Sequence, residues 1–365
     1  MNANIAPEIR EVMEALHYRP SVSVILPFEP KINLENELKY ALKIASDKVE
    51  LELMNNFPSE IATIVIKKLK DVIKGLNIDK NKKGIALYVS PVFQKVVYLD
   101  VAVEEKIIVD ESFEVRDLVY SKKQIHKYLV LLLSGKESNM YLGTNGDLIR
   151  IISDQPETIE AYVNDVPERD ANFSDVSDRK ETVLYKFLHH IDNSLDAVLK
   201  EYPLPVFVMG AEKLLGQFKQ ISKHQKAVVD NIHGNYEEST MPQLKVVLKY
   251  YVDTWKKEKQ KILLNKIDEA AGKKKLAVGM NEVWRDAMQN KGQLLVVEKN
   301  FMYAAQRGGL EDVLYEVTDT KNQFSFLKDA VDDVLEKVLA NGGDVEFVEE
   351  GFLNNLQHIV LINFY

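Results

Sequence analysis

Five carboxylates crowd one polar connection: Asp165, Glu168, Asp170, Asp175 and Asp178. Hard divalent cations take carboxylate oxygen, so such a run is what a metal-dependent nuclease would offer. A catalytic cluster, however, needs its carboxylates fixed on rigid elements, and these lie together in one loop. A solvated acidic loop is the favoured reading. Gly135-Lys136 follows an apolar run, where a phosphate loop would place its glycine and lysine. No earlier glycine stands at the required spacing, and Glu137 occupies the Ser or Thr position, so the pair reads as a hairpin turn. Seven histidines yield no His-Glu-x-x-His pair. His189 and His190 are adjacent, about 100° apart on a helix, and cannot share a metal as i, i+4 ligands do. They read as structural.

Three basic stretches remain: Lys122-Lys123 with His126-Lys127, then Lys256-Lys257 with Lys259 and Lys261, then Lys273-Lys274-Lys275. Each could meet phosphate as a local patch. Each could equally be a solvated face, and Glu258 inside the second gives the usual mixed-charge helix pattern. The chain has no cysteine, which excludes disulfides, thiolate catalysis and Cys-ligated zinc. From the residues alone, no cofactor is implied and no active site is visible.

The elements that must carry these residues fall into three blocks, expected at 1–123, 124–271 and 272–365. In the first, Val22, Val24, Ile25 and Leu26 read as a buried strand ending at Pro27. Helical spacing follows from Glu35 to Met54, and Ser59 with Glu60 is expected to cap a second helix to about Ile73. Strands are expected over Ile85–Val89, Val96–Val101 and Lys106–Val109. The second block opens with a three-stranded meander, Tyr128–Leu133, Asn139–Leu142 and Leu148–Ile152. After the acidic loop come a helix at Glu181–Lys200, a strand at Val206–Met209, a helix around Leu214, Leu215 and Phe218, and one long charged helix from Gln243 to about Ala271. The third block predicts helices at Met280–Gln289 and Phe326–Ala340, with strands at Leu294–Val297, Val345–Val348 and Ile359–Ile362. Alternation of that kind indicates an αβα sandwich. Gly272 with its three lysines offers an exposed boundary, so the third block is expected to fold alone.

Composition is that of a folded protein: 365 residues, 46% hydrophobic, 28% charged. No stretch approaches the roughly 18 apolar residues a membrane helix needs, and Glu8, Arg10, Glu11 and Glu14 break any signal-peptide core. A cytoplasmic location is expected. The net charge of −9 argues against a nucleic-acid coat protein but leaves room for a local basic patch.

Four stretches, in order, resemble the class-1 peptide-chain release factors of archaea and eukaryotes and their relative Pelota. They are Ser21–Phe28 with its two helices and Lys83-Gly84-Ile85-Ala86-Leu87-Tyr88; the meander Tyr128–Ile152; Val206–Gly210 with its helix and then Gly272–Val297; and Gly342–Val348 through Phe364. The resemblance implies an α/β fold of three domains: an N-terminal α/β domain, an RNase H-like middle domain and a C-terminal L7Ae/Pelota-like αβα sandwich. It also implies a ribosomal partner. Two departures decide what that partner is for. The family's Gly-Gly-Gln, which positions water for peptide release, is absent, and the matching loop Asn164–Asp178 holds neither glycine nor glutamine. Lys291-Gly292-Gln293 is a lookalike in the wrong domain. The stop-codon tetrapeptide Asn-Ile-Lys-Ser is missing too; its region falls near Glu50–Ser59.

Neither release nor stop-codon reading is therefore expected. What the resemblance leaves is the family's bacterial branch, whose members occupy the ribosomal A site during stress and hibernation. The expected contacts to ribosomal RNA are Asn55, Asn56, Lys122, Lys123, Lys127, Arg169 and Arg179. A translational GTPase such as elongation factor Tu is a further implied partner, with no membrane and no DNA. The rival functions are a metal-dependent nuclease acting on stalled RNA through the acidic loop, and an adaptor that no longer binds ribosomes.

Overall fold

The computed structural model of the chain describes residues 7–15, 20–28, 34–77, 82–123, 126–144, 146–152, 158–159, 176–309, 312–316 and 326–365. These form two compact units, one from residues 1–124 with 265–365 and one from 125–264. The fold is mixed α/β, as expected.

In the first unit, helix α1 (Pro7–Met13) precedes strand β1 (Ser21–Pro27), the helices α2 (Leu34–Asn56) and α3 (Ser59–Lys74), strands β2 (Gly84–Val89), β3 (Gln94–Leu99) and β4 (Lys106–Asp110), and helix α4 (Arg116–Lys123). The sheet runs β3-β2-β1-β4 and is antiparallel throughout. Its middle strands are apolar on both faces because both faces are covered. Val22, Val24, Leu26, Ile85, Leu87 and Val89 point into the core under α2 and α3. The alternate residues Ile25, Ala86 and Tyr88 enter a second core. That second core is shared with the end of the chain. It also holds Trp284, Leu295, Val297, Val331, Val334, Leu335 and Leu361, so the first and third blocks are packed as one body. Ser59 is the first residue of α3 rather than its cap. Pro58 precedes it without a side-chain hydrogen bond, and its fixed φ of −56° already suits helix entry.

The second unit carries β5 (Lys127–Leu133), β6 (Ser138–Thr144), β7 (Asp147–Ile151), α5 (Val176–Glu201), β8 (Val206–Gly210), α6 (Glu212–Ile221), β9 (Val228–His233) and the start of α7 (Met241–Gly272). The expected meander is present, and the sheet extends through parallel pairing to the order β7-β6-β5-β8-β9. Period 2 divides β5 between two layers. Leu129, Leu131 and Leu133 pack with Phe187, Ile191 and Phe218 of α5 and α6, while Tyr128, Val130 and Leu132 pack with Leu244, Leu248 and Val252 of α7. Gly143 has to be glycine: a Cβ there would lie 2.2 Å from the Tyr128 ring.

The end of the chain adds β10 (Leu276–Val278), α8 (Gly279–Met288), β11 (Gly292–Glu298), β12 (Ala305–Arg307), β13 (Leu314–Glu316), β14 (Phe326–Leu327), α9 (Ala330–Ala340), β15 (Asp344–Val348) and β16 (Ile359–Asn363). Two sheets result, β10-β16-β11-β15 and the small β13-β12-β14. The helix expected from Phe326 starts only at Ala330. Phe326 and Leu327 pair instead with Gln306 and Ala305, and the Asp329 side chain caps the helix by accepting from Val331 N.

Candidate nucleic-acid interface

The expected RNA contacts are scattered. Asn55 and Asn56 are exposed at the end of α2. Lys122 and Lys123 end α4, where basic side chains suit the helix dipole, and both already meet carboxylates. Lys122 Nζ lies 3.5 Å from Glu8 and Lys123 Nζ 2.5 Å from Asp344. Lys127 is the exposed first residue of β5, in the other unit. Arg169 lies outside the described residues, as do Asp165, Glu168, Asp170 and Asp175. Arg179 and Asp178 fall within α5, but their side chains are not among those described. Among the described residues, no three His, Cys, Asp or Glu side chains form a group able to hold a metal ion.

Gly135-Lys136 is a hairpin turn. Ser134 Oγ accepts from Lys136 N at 3.2 Å and Glu137 N at 3.0 Å, and Ser134 N donates to Glu137 O at 2.9 Å. His189 packs edge-on against Tyr185, at 4.5 Å between ring centroids on the same helix.

The densest charge cluster is one that sequence reasoning missed. It is buried between the first and third blocks of the first unit. Arg116 donates Nη1 to Phe301 O at 2.6 Å, and its Nη2 pairs with Asp329. Asp332 accepts from Val115 N at 3.0 Å and Arg116 N at 2.7 Å, so a carboxylate from α9 caps α4. Lys106 Nζ lies 2.7 Å from Asp117 and 3.5 Å from Glu114. Burial, then the Asp329 charge, pushes the Glu114 carboxyl up to about 7. Burial likewise raises Asp332 well above the carboxylate range, with Glu114 adding to it, and takes Asp333 to about 6. Perturbed acids of this kind can mark active sites. The adjoining cavity, lined by Asp110, Glu114, Asp329, Asp332 and Asp333, is only about 20 Å³, room for one water and no substrate. The cluster is a clamp.

In the second unit, α7 presents a different arrangement. The Trp255 ring stands edge-on to Phe207 at 6.0 Å and to His126 at 6.1 Å. The Lys259 ammonium sits 4.9 Å from the Trp255 centroid, a cation–π contact. Burial, then Lys256 and Lys259, lowers His126 to about 4, so its ring is neutral at physiological pH beside two cations. Nearer the start of the helix, Lys245 pairs with Asp147 and Lys249 with Asp253. Among the described residues, Lys256 and Lys259 form no ion pair, although Lys256 is near enough to help hold the Asp253 carboxyl below its usual range, after the Lys249 hydrogen bond. The basic stretch was visible in the sequence. Its aromatic floor was not, because His126 and Trp255 meet only through the β5–β8 pairing.

No curated protein matches the chain. Several solved structures do, at low similarity. Archaeal translation termination factor aRF1 is 13% identical over 98% of this chain and 97% of its own, with a TM-score of 0.24. Saccharomyces cerevisiae Dom34, a translation termination-like factor of RNA quality control, is 15% identical over 78% and 74%, with a TM-score of 0.41. Archaeal Pelota, from a ribosome-bound complex with ABCE1, is 10% identical over 100% and 95%, with a TM-score of 0.43. At these scores none bears on how this chain is arranged. The family comparison is more definite: residues 127–291 match the family described as bacterial archaeo-eukaryotic release factor family 3. The match spans a little under half of the chain, and over those residues the chain is similar to that family, as the resemblance read from its sequence implies.

Proposed function

We propose that the protein is a non-catalytic ribosome-binding factor that occupies the A site, in ribosome hibernation or translation control under stress. The observation that carries this reading is the release-factor family match over 127–291 in a chain without Gly-Gly-Gln anywhere in its 365 residues. A release factor stripped of its hydrolytic tripeptide keeps a means of reaching the ribosome and loses the chemistry. The clamp fits this reading, since its acids are held in ion pairs and helix caps with no room for a substrate. Ribosomal RNA is the first partner, and a translational GTPase such as elongation factor Tu is the second. The location follows as cytoplasmic; among the described residues, no helix is long and apolar enough to cross a membrane.

Sedimentation of the tagged protein through sucrose gradients, from growing and from starved cells, tests the proposal. Co-migration with ribosomes is expected, more in starved cells. Appearance only in the ribosome-free fractions of both would overturn it. Added to ribosomes carrying labelled peptidyl-tRNA, the protein should release no peptide above background; stop-codon-dependent release would refute the non-catalytic reading.

A further inference from the structure

Resting on that ribosomal reading, we infer that His126, Trp255, Lys256 and Lys259 form a contact surface for single-stranded or loop RNA. The two lysines take backbone phosphates and Trp255 offers a ring on which a base stacks.

Three features of the site carry this. First, neither cation is tied up in an ion pair. Lys245 and Lys249 on the same helix form ion pairs with Asp147 and Asp253, whereas Lys256 and Lys259 form no ion pair among the described residues, Lys256 reaching Asp253 only as a more distant charge. Second, the aromatic floor is rigid. Trp255 is half-buried against Phe207, whose side chain is fully buried in the sheet, so its ring is fixed before any ligand arrives. A fixed ring flanked by cations is how sequence-tolerant single-strand sites are built. Third, the Lys259 ammonium covers that ring in the free protein. When a phosphate draws the ammonium away, the ring face becomes available to a base, so the two contacts help each other. His126 stays neutral there, leaving an imidazole that can donate or accept one hydrogen bond. An acidic peptide would satisfy the lysines but would leave the ring unused.

Lys127 does not belong to this surface. Side chains alternate along β5, and Tyr128 and Val130 face α7 while Leu129 and Leu131 face α5 and α6. Lys127 therefore shares the face of Leu129, opposite Trp255.

The test uses the full chain with two probes, purified ribosomes and a twelve-residue oligouridylate, each titrated at low and at moderate salt. The variants are Lys256→Gln/Lys259→Gln, which removes the two charges and the cation over the Trp255 ring, and Trp255→Ala, which removes the platform. The double variant should weaken binding about tenfold or more and make the salt dependence shallower by about two units, one per lost phosphate contact. Trp255→Ala should weaken oligouridylate binding by about fivefold or more. The RNA should also quench tryptophan emission in the wild type; Trp284, the other tryptophan, is 1% exposed, so the quenching reports Trp255. Ribosome binding that the double variant leaves unchanged would overturn this site and spare the ribosomal reading. Wild-type protein that binds neither probe would overturn both. Poly-glutamate bound as tightly as the RNA, with equal loss in the double variant, would overturn RNA as the ligand class.

Discussion

The two units treat their charges in opposite ways. In the first, Arg116, Asp329 and Asp332 are at least nine-tenths hidden and joined to one another or to backbone groups across more than two hundred residues of sequence. In the second, Lys256 and Lys259 stand beside an aromatic ring and form no ion pair among the described residues. A buried ion pair is kept because removing one partner strands the other, while an exposed unpaired cation contributes little to the fold that holds it. The difference sorts the charges of an acidic protein into those that close the structure and those that no ion pair occupies.

Separating the first and third blocks should break the comparison most severely. Residues 272–365 have a sheet of their own, β10-β16-β11-β15, and should unfold cooperatively as a fragment when followed by circular dichroism. Their midpoint should nevertheless fall well below that of the whole chain, because Trp284, Leu295 and Val334 share a core with Ile25 and Tyr88. An unstructured fragment would show that the third block cannot fold alone, and an unchanged midpoint would show that the shared core adds nothing.

Within the intact chain, Arg116→Ala should cost about 3–5 kcal/mol, the loss typical of stranding one half of a buried ion pair. Urea denaturation measures it, and a loss below about 1 kcal/mol would remove the clamp from the account.

Acidity gives a smaller and opposite-signed handle. Glu114 moves from its ordinary 4.5 to about 7 on folding, chiefly through burial, and Asp333 from 3.8 to about 6. Between those values the folded protein holds protons that the unfolded chain has released. These two groups therefore favour folding most below about pH 4, and that advantage is lost as pH rises through 6 and 7. A decline on the order of 1–3 kcal/mol between pH 5 and pH 8 is expected, and Glu114→Gln should flatten the larger part of it. Stability that rises over the same range in the wild type would contradict the assignment.

The smallest effect belongs to Lys122 and Lys123, the contacts that the sequence proposed most directly. Both lie in partly exposed ion pairs, worth about 0–1 kcal/mol each. Lys122→Gln/Lys123→Gln should alter ribosome affinity less than Lys256→Gln/Lys259→Gln does. A larger loss from the α4 pair would move the RNA surface to the first unit.

The same contrast explains what was legible in the sequence. Strand β1 and the meander β5–β7 were readable because apolar runs and turn residues are local signals. Helix α4 was not, since its opening residues Arg116 and Asp117 look like solvent-facing charges, and their partners Asp329 and Lys106 are not beside them in sequence. The start of α9 was legible in principle: Asp329 stands directly before the helical spacing of Val331, Val334, Leu335 and Val338, and the apolar Phe326-Leu327 obscured it. The strand β9 and the small sheet β13-β12-β14 went unread because their segments are short or mixed in polarity, and only pairing makes them strands. At the candidate site, the lysines of α7 could be read but their importance could not. That depends on Trp255 and His126 being brought together by the fold.

The salt dependence of ribosome binding tests the central claim most directly. Purified full-length protein is titrated onto purified ribosomes across a range of monovalent salt, and log affinity is plotted against log salt. If leftover lysines meet phosphate, each contact releases counterions, and affinity should fall steeply as salt rises despite the net charge of −9. Tight binding with a flat slope, or no binding at the lowest salt, would contradict the account.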